Sequence, residues 1–153
     1  MSKGGVEVRR KGFEHERELA RRLFKEGFAV LRAPASGAKV FRLIYPDVVA
    51  IFKGRVFVFE VKAYSSLRVV YIDARRYERL MTFAERAGGE AYLAFKLIGT
   101  GEWRLVPFTK LEKTRSGVYR CGIGQLEIAE KLEDVIARVK GGQAHAPLGR
   151  TTT

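Results

Sequence analysis

Apolar residues recur along this chain at two different spacings, and the switches between them outline its elements. Across residues 13–27, Phe13, Ala20, Leu23 and Phe24 return at helical intervals, and Gly27 suits a C-terminal cap. Residues 28–32 carry a short strand pattern. Residues 47–52 and 55–62 are two β-rich runs joined by Lys53-Gly54, a pair suited to a tight hairpin. Residues 64–70 fit no single pattern. Asp73 is placed to cap a second helix that runs to about residue 87 and stops at Gly88-Gly89.

Two more strand patterns follow at 91–96 and 103–106, with 99–101 as the turn between them. Pro107 opens a short turn or helix near 108–111, and 118–121 reads as a small edge strand. A third helical stretch spans 126–139, with Leu126, Ile128, Leu132, Val135, Ile136 and Val139 apolar. Helices flanking a central group of strands predict an α/β domain. One such domain accounts for residues 11–140, preceded by a flexible basic arm at 1–10 and followed by a disordered polar tail at 141–153.

The 153 residues are 46% hydrophobic, enough for one compact core. Charge changes the picture more. Lys and Arg outnumber Asp and Glu by 29 to 17, giving a net charge of +12 and a pI near 10.1. An excess of this size points to a polyanionic partner. Nucleic acid comes first. An acidic membrane surface comes second, without the long basic amphipathic helix that would support it. No apolar run approaches the roughly 20 residues of a membrane span, and residues 1–11 hold no apolar signal core. A cytoplasmic protein is expected. Cys121 is the lone cysteine, so neither an internal disulfide nor a cysteine zinc cluster is available. The lack of asparagine, beside abundant Arg, Lys and Glu, suits a heat-adapted protein.

The most informative segment is Asp47, twelve residues, then Glu60-Val61-Lys62. If Lys53-Gly54 makes a two-residue turn, Phe52 faces Arg55, and Asp47 falls opposite Glu60 on the same face of the sheet. Lys62 shares that face, while Phe57, Phe59 and Val61 take the other. Directly opposed like charges destabilise a sheet, so a cation between the two acids is expected. Hard oxygen donors suit Mg2+ or Mn2+. Such an ion can polarise a phosphate and acidify a bound water. Lys62 would orient the attacking water or stabilise charge developing on the phosphate.

Taken singly, these residues have a plainer reading: Asp47 as a turn residue, Glu60 and Lys62 as an exposed charged pair at a strand end. As a set they argue for a site. Residues 56–59 are apolar on both faces, and a buried strand ending in unpartnered charges is costly. Glu16 lies three residues after Phe13 and four before Ala20, so it adds a third carboxylate on the apolar side of the first helix. Its alternative is a surface acid at the edge of the stripe, or the partner of a nearby Arg.

Asp, a spacer and Glu-x-Lys resemble the active-site signature of the PD-(D/E)XK nuclease superfamily. Other motifs narrow the resemblance. Lys11-Gly12 with Glu16-Arg17, then Gly27-Phe28-Ala29-Val30, then Arg32-Ala33-Pro34-Ala35-Ser36-Gly37 are similar to the archaeal Holliday-junction resolvases. Pro46-Asp47, Glu60-Val61-Lys62, Gly88-Gly89 and Pro107-Phe108 follow in that family's order. The resemblance covers residues 10–132, and residues 32–37 are its most specific part. It implies a central mixed β-sheet flanked by helices, with a restriction-endonuclease-like core, so that residues 11–140 form a nuclease domain. It implies a homodimer that makes paired cuts in opposite strands of four-way DNA junctions, by phosphodiester hydrolysis with Mg2+, for which Mn2+ substitutes. Glu16, Asp47, Glu60, Lys62 and the loop residue Ser36 would be catalytic. Glu16, Asp47, Glu60 and the Val61 carbonyl would hold the metal. The loop departs from the family at Lys39-Val40-Phe41-Arg42-Leu43-Ile44, which is more apolar.

Candidate DNA-binding cations surround these positions: Arg9, Arg10, Lys11 and Arg17, then Arg32, Lys39 and Arg42, then Arg68, Arg75 and Arg76. Arg21 and Arg22 are expected to pair with Glu18 or Glu26 instead. No base-reading motif is present, so recognition of junction shape and backbone is expected, with strong salt dependence. No nucleotide cofactor is indicated, because no Gly-rich phosphate loop with Lys-Ser/Thr occurs. Of the two histidines, His15 reads as a surface residue and His145 lies in the tail, which removes Ser-His-Asp catalysis. The face of Tyr77, Leu80, Met81 and Ala84 fits either core or interface. Two alternatives stay open: a catalytically silent DNA-binding protein on the same fold, and a related nuclease acting on other DNA.

Overall fold

The computed structural model describes residues 2–33 and 45–142, with side chains from residue 13 onward. Helix α1 (Ser2–Lys25) leads through Gly27, at φ 101°, into strand β1 (Ala29–Arg32), which pairs antiparallel with β2 (Val48–Phe52). The turn after β2 sets the register of the site. Lys53 and Gly54 have φ of 48° and 88°, the two positive values that a type I′ hairpin requires. Strand β3 (Arg55–Tyr64) therefore returns with Arg55 opposite Phe52 and Phe59 opposite Val48.

β3 then pairs parallel with β5 (Glu90–Leu97), and parallel neighbours need a crossover. β4 (Val70–Ile72) and helix α2 (Ala74–Ala87) supply it. Both ends of α2 are built by sequence. Asp73 accepts the Arg76 backbone N–H at 2.9 Å, and Gly88 closes the helix at φ 71°. Gly89 follows because nothing larger fits: a β-carbon there would lie 2.2 Å from the Val56 carbonyl oxygen. α2 thus ends hard against the start of β3.

β6 (Glu102–Pro107) returns antiparallel beside β5, and a single 3-10 turn (Phe108–Lys110) follows. β7 (Glu112–Lys113) and β8 (Tyr119–Cys121) join β4 in a separate sheet of order β4-β8-β7. Helix α3 (Ile123–Ile128), the short strand β9 (Glu130–Lys131) and helix α4 (Leu132–Lys140) complete the described chain. The main sheet is mixed, with six strands in the order β1-β2-β3-β5-β6-β9.

Both faces of this sheet are buried, which explains why β3 and β5 lack simple alternation. On one face Phe57, Phe59 and Trp103 meet Leu19 and Leu23 of α1 and Leu132 and Ile136 of α4. On the other, Val58, Leu93 and Phe95 meet Leu80 and Ala84 of α2 together with Ile72 and Cys121 of the small sheet. Tyr77 and Met81 pack against this second cluster, so the face shared by residues 77–84 contributes to the core.

Several sequence expectations need correction. The basic arm expected at 1–10 continues α1 from Ser2, since no proline interrupts the segment and two glycines only weaken it, by about 1 kcal/mol each. Phe24 is 68% exposed, because Leu19 and Leu23 form the buried stripe. Residues 119–121 occupy the centre of the small sheet, not an edge. The helical stretch expected at 126–139 is two helices. Arg104 of β6 donates to the carbonyls of Leu126, Glu127 and Ala129, at 3.2, 2.8 and 3.4 Å, and captures the end of α3. The chain then extends so that Lys131 pairs opposite Arg104. Arg22 lies 3.9 Å from Glu133, while Glu26 pairs with Lys140 and Glu18 with Lys96. His15 is only 14% exposed, and its Nδ1 has no hydrogen bond; Glu18 Oε1 is 3.7 Å away, too far to accept one. Among the described residues, no helix is long and apolar enough to cross a membrane.

Candidate active site

The hairpin and the crossover converge on β3 where its pairing with β2 ends. Asp47 precedes β2 and donates its backbone N–H to the Phe59 carbonyl at 3.0 Å. Its side chain turns across the strand gap, where Oδ2 accepts the Val61 backbone N–H at 2.8 Å. Glu60, 7% exposed, stands beside it. Lys62 Nζ lies 3.6 Å from Glu60 Oε2. The two acids and the lysine thus gather as the hairpin register requires, with Val61 contributing a backbone group rather than its side chain.

Arg76 from the first turn of α2 completes the cluster. Its Nε donates to Glu60 Oε1 at 2.8 Å, and its Nη2 reaches Glu60 Oε1 at 2.7 Å and Asp47 Oδ1 at 3.2 Å. Glu16, part-buried on α1, faces the same centre, within the electrostatic field of Glu60, Asp47 and Arg76. Three carboxylates therefore crowd one partly desolvated place. Burial, then Glu60, then Glu16 push the Asp47 carboxyl up to about 7, against the opposing pull of the Val61 N–H and Arg76. Burial also raises the Glu16 carboxyl, with Glu60 adding to it and Arg32 and Arg76 opposing. Burial disfavours the charged form of Arg76, but Glu60 and Asp47 outweigh it and raise its pKa.

The donor set fits a hard divalent cation. Asp47 and Glu60 offer carboxylate oxygens at a partly buried place where burial first, and the neighbouring acids second, disfavour the ionised Asp47. Among the described residues no group of three His, Cys, Asp or Glu lies close enough to hold a metal, so Glu16 is a neighbour of the pair here and not a third member of a closed shell.

The remaining candidates divide by place. Arg17 is exposed on α1, and Arg32, also exposed, ends β1 close enough to act on Glu16. Arg68 lies over the Tyr64 ring at 4.6 Å. Arg75 lines a groove of about 860 Å³ along α2, with Arg79, Phe83 and Arg86. Arg9, Arg10 and Lys11 fall on the first half of α1, whose side chains are not among those described. Ser36, Lys39, Arg42 and the tail with His145 lie outside the described residues.

A pair of acids gathered part-way along a central strand, beside a strand lysine and near an acid of the first helix, suits metal-assisted phosphodiester chemistry. The sequence profile of the family described as archaeal Holliday junction resolvase (Hjc) matches residues 7–143. This chain belongs to the archaeal Holliday-junction resolvase family. Members of that family are divalent-metal-dependent endonucleases that resolve four-way DNA junctions. A crossover junction endodeoxyribonuclease Hjc of Sulfurisphaera tokodaii is 35% identical over 130 residues, covering 85% of this chain and 88% of that protein. One from Archaeoglobus fulgidus is 38% identical over 131 residues, covering 81% and 93%. The solved structure of Archaeoglobus fulgidus Hjc, a Holliday junction resolvase from an archaeal hyperthermophile, superposes with a TM-score of 0.70 at 31% identity, covering 83% of this chain and 96% of that one. The central mixed sheet flanked by helices is thus this resolvase family's restriction-endonuclease-like fold.

Sequence reasoning placed Arg76 among the DNA cations and missed its hold on the two acids. The only signal was indirect: Asp73 as helix cap puts Arg76 in the first turn of α2, but not against Glu60. It also missed the inner ion pair of Lys96 with Glu18, which Trp103 joins through its indole N–H at 3.2 Å.

Proposed function

We propose that this chain resolves four-way DNA junctions, with Asp47 and Glu60 as the protein ligands of Mg2+, for which Mn2+ substitutes. The observation that carries this reading is the pairing of those acids at one desolvated centre beside Lys62. The Val61 carbonyl completes the ligand set, and Glu16 contributes through an intervening water or after a small closure of α1. When bound, the divalent cation supplies Lewis-acid polarisation of the phosphodiester and charge neutralisation among the acids. The protein's own groups do the rest. The Val61 N–H holds Asp47 in its rotamer, so the carboxylate needs no reorganisation. Lys62 keeps an ammonium beside Glu60, where it orients the attacking hydroxyl and stabilises charge on the phosphate. Arg17, Arg32, Arg68 and Arg75 hold the phosphate backbone near the centre, with Arg9, Arg10, Lys11, Lys39 and Arg42 extending the track and Ser36 acting on the scissile region.

Two symmetric cuts need two centres, and a homodimer supplies them by symmetry. The test is cleavage of a synthetic four-way junction in Mg2+ against chelator, with Asp47→Asn and Glu60→Gln. The wild type cuts only with metal, and both variants lose cutting by about 100-fold or more while still binding the junction. Cutting by either variant at the wild-type rate rejects the site. Equal cutting of linear duplex would make the chain a nuclease of other DNA.

A further inference from the structure

One oxygen of Asp47 and one of Glu60 already share a cation. Asp47 Oδ2 is engaged by the Val61 N–H at 2.8 Å, and Glu60 Oε2 faces Lys62 at 3.6 Å. Lys62 is too far from Oε2 to hydrogen-bond it, whereas Arg76 takes Asp47 Oδ1 and Glu60 Oε1 directly, at 3.2 Å and at 2.7–2.8 Å. The contact is built, not incidental. Asp73 fixes the backbone of Arg76 through the helix cap, so the guanidinium is aimed from a rigid turn. The Arg76 side chain is 25% exposed and those of Asp47 and Glu60 are 18% and 9%, so solvent screens the pair only in part.

A divalent ion needs carboxylate oxygens at about 2.0–2.6 Å. Each oxygen keeps a second lone pair, but a guanidinium held across both acids competes with the ion for the same place, and the two cations repel each other.

We propose that Arg76 is an internal counter-ion that keeps the place of the divalent cation, must leave Asp47 Oδ1 and Glu60 Oε1 for the ion to bind, and thereby sets this chain's affinity for metal. This rests on the reading of Asp47 and Glu60 as metal ligands. Arg76 stabilises the metal-free centre, where three acids would otherwise repel one another. Uptake of metal releases a guanidinium that remains tethered at the mouth of the site. A nucleic-acid phosphate is the anion that would receive it. Metal and DNA then favour each other's binding, because each removes a cost that the other alone must meet, and this coupling is reciprocal.

The experiment is a Mn2+ titration of the full chain without DNA, followed by the electron paramagnetic resonance signal of free Mn2+. Wild type is compared with Arg76→Gln, Arg76→Met and Asp47→Asn. Removing the competing cation should tighten Mn2+ binding by at least about tenfold, equivalent to 1.4 kcal/mol. Asp47→Asn should weaken it. Unchanged or weaker Mn2+ binding by both Arg76 variants, with Asp47→Asn weakened, overturns the counter-ion role and leaves the metal site standing. Identical Mn2+ binding by all four proteins removes the metal site and the counter-ion together. If the neutral variants are unfolded without metal, circular dichroism reads the same titration as Mn2+-induced folding. Folding below the wild-type dissociation constant supports the proposal, and no folding overturns it.

Discussion

Glu18 and Lys96 form a partly buried ion pair whose two halves should behave very differently when removed. Lys96 Nζ lies 2.5 Å from Glu18 Oε2 and 5.3 Å from the centre of the Trp103 ring, and its side chain is 8% exposed. Glu18 is 34% exposed and also accepts the Trp103 indole N–H. Glu18→Ala strands an ammonium among Trp103 and its apolar neighbours. Breaking a buried pair in this way costs about 3–5 kcal/mol. The openness of the Glu18 side and the remaining ring contact place this case at the low end, about 3 kcal/mol. Lys96→Met keeps the stem packed and leaves a carboxylate that can rehydrate and still holds Trp103, so its cost is about 1 kcal/mol. The double variant should resemble Lys96→Met alone, falling about 3 kcal/mol short of the sum of the single changes. Urea unfolding followed by circular dichroism measures all four corners. Strict additivity, or a Lys96→Met loss as large as that of Glu18→Ala, would refute the assignment of Lys96 as the buried, dependent partner.

Three further outcomes follow from single contacts. Gly89→Ala drives a β-carbon into the Val56 carbonyl, and since neither backbone can yield, thermal unfolding should report a loss of about 2 kcal/mol or more; an unchanged midpoint would contradict the close approach. Burial pushes the Cys121 thiol up to about 11, so the native protein should resist iodoacetamide at pH 8 and react fully in denaturant, whereas rapid labelling of the native chain would place the thiol at the surface. Lys62→Met should lower the rate of junction cleavage by about 100- to 1000-fold, with junction affinity changed much less, because only one of many cations is removed; a loss confined to affinity would make Lys62 a backbone contact.

The elements that were legible in the sequence are those decided within a few residues. Lys53-Gly54 specifies its own turn, and the turn specifies which residues of β2 and β3 oppose each other. Asp73 and Gly88 delimit α2 in the same local way. What failed was decided at a distance. Residues 126–139 carry an unbroken helical pattern, yet the helix ends where a guanidinium from β6 takes its carbonyls, and no neighbour of Ile128 in sequence announces that. Residues 119–121 look like any short edge strand until β4 and β7 are seen on either side.

The same distinction runs through the candidate site. Asp47, Glu60 and Lys62 were readable because one hairpin holds all three, and a two-residue turn leaves no freedom in their pairing. Glu16 required knowing that α1 packs across the sheet beside Glu60. Arg76 required knowing that α2, within the crossover that joins β3 to β5, brings its first turn back to those acids. A run of Arg beside an acidic centre reads by composition as a phosphate track, and for Arg75 the exposed position agrees with that. One residue later on the same helix, the side chain rotates by about 100° and meets the acids instead of the solvent. Charge counting cannot separate two adjacent arginines, whereas helical phase can, once the face that α2 presents to the sheet is known. That face is set by Leu80 and Ala84. Arg76, four residues before Leu80, shares it, so the side of α2 that builds the core also delivers its guanidinium to the acids.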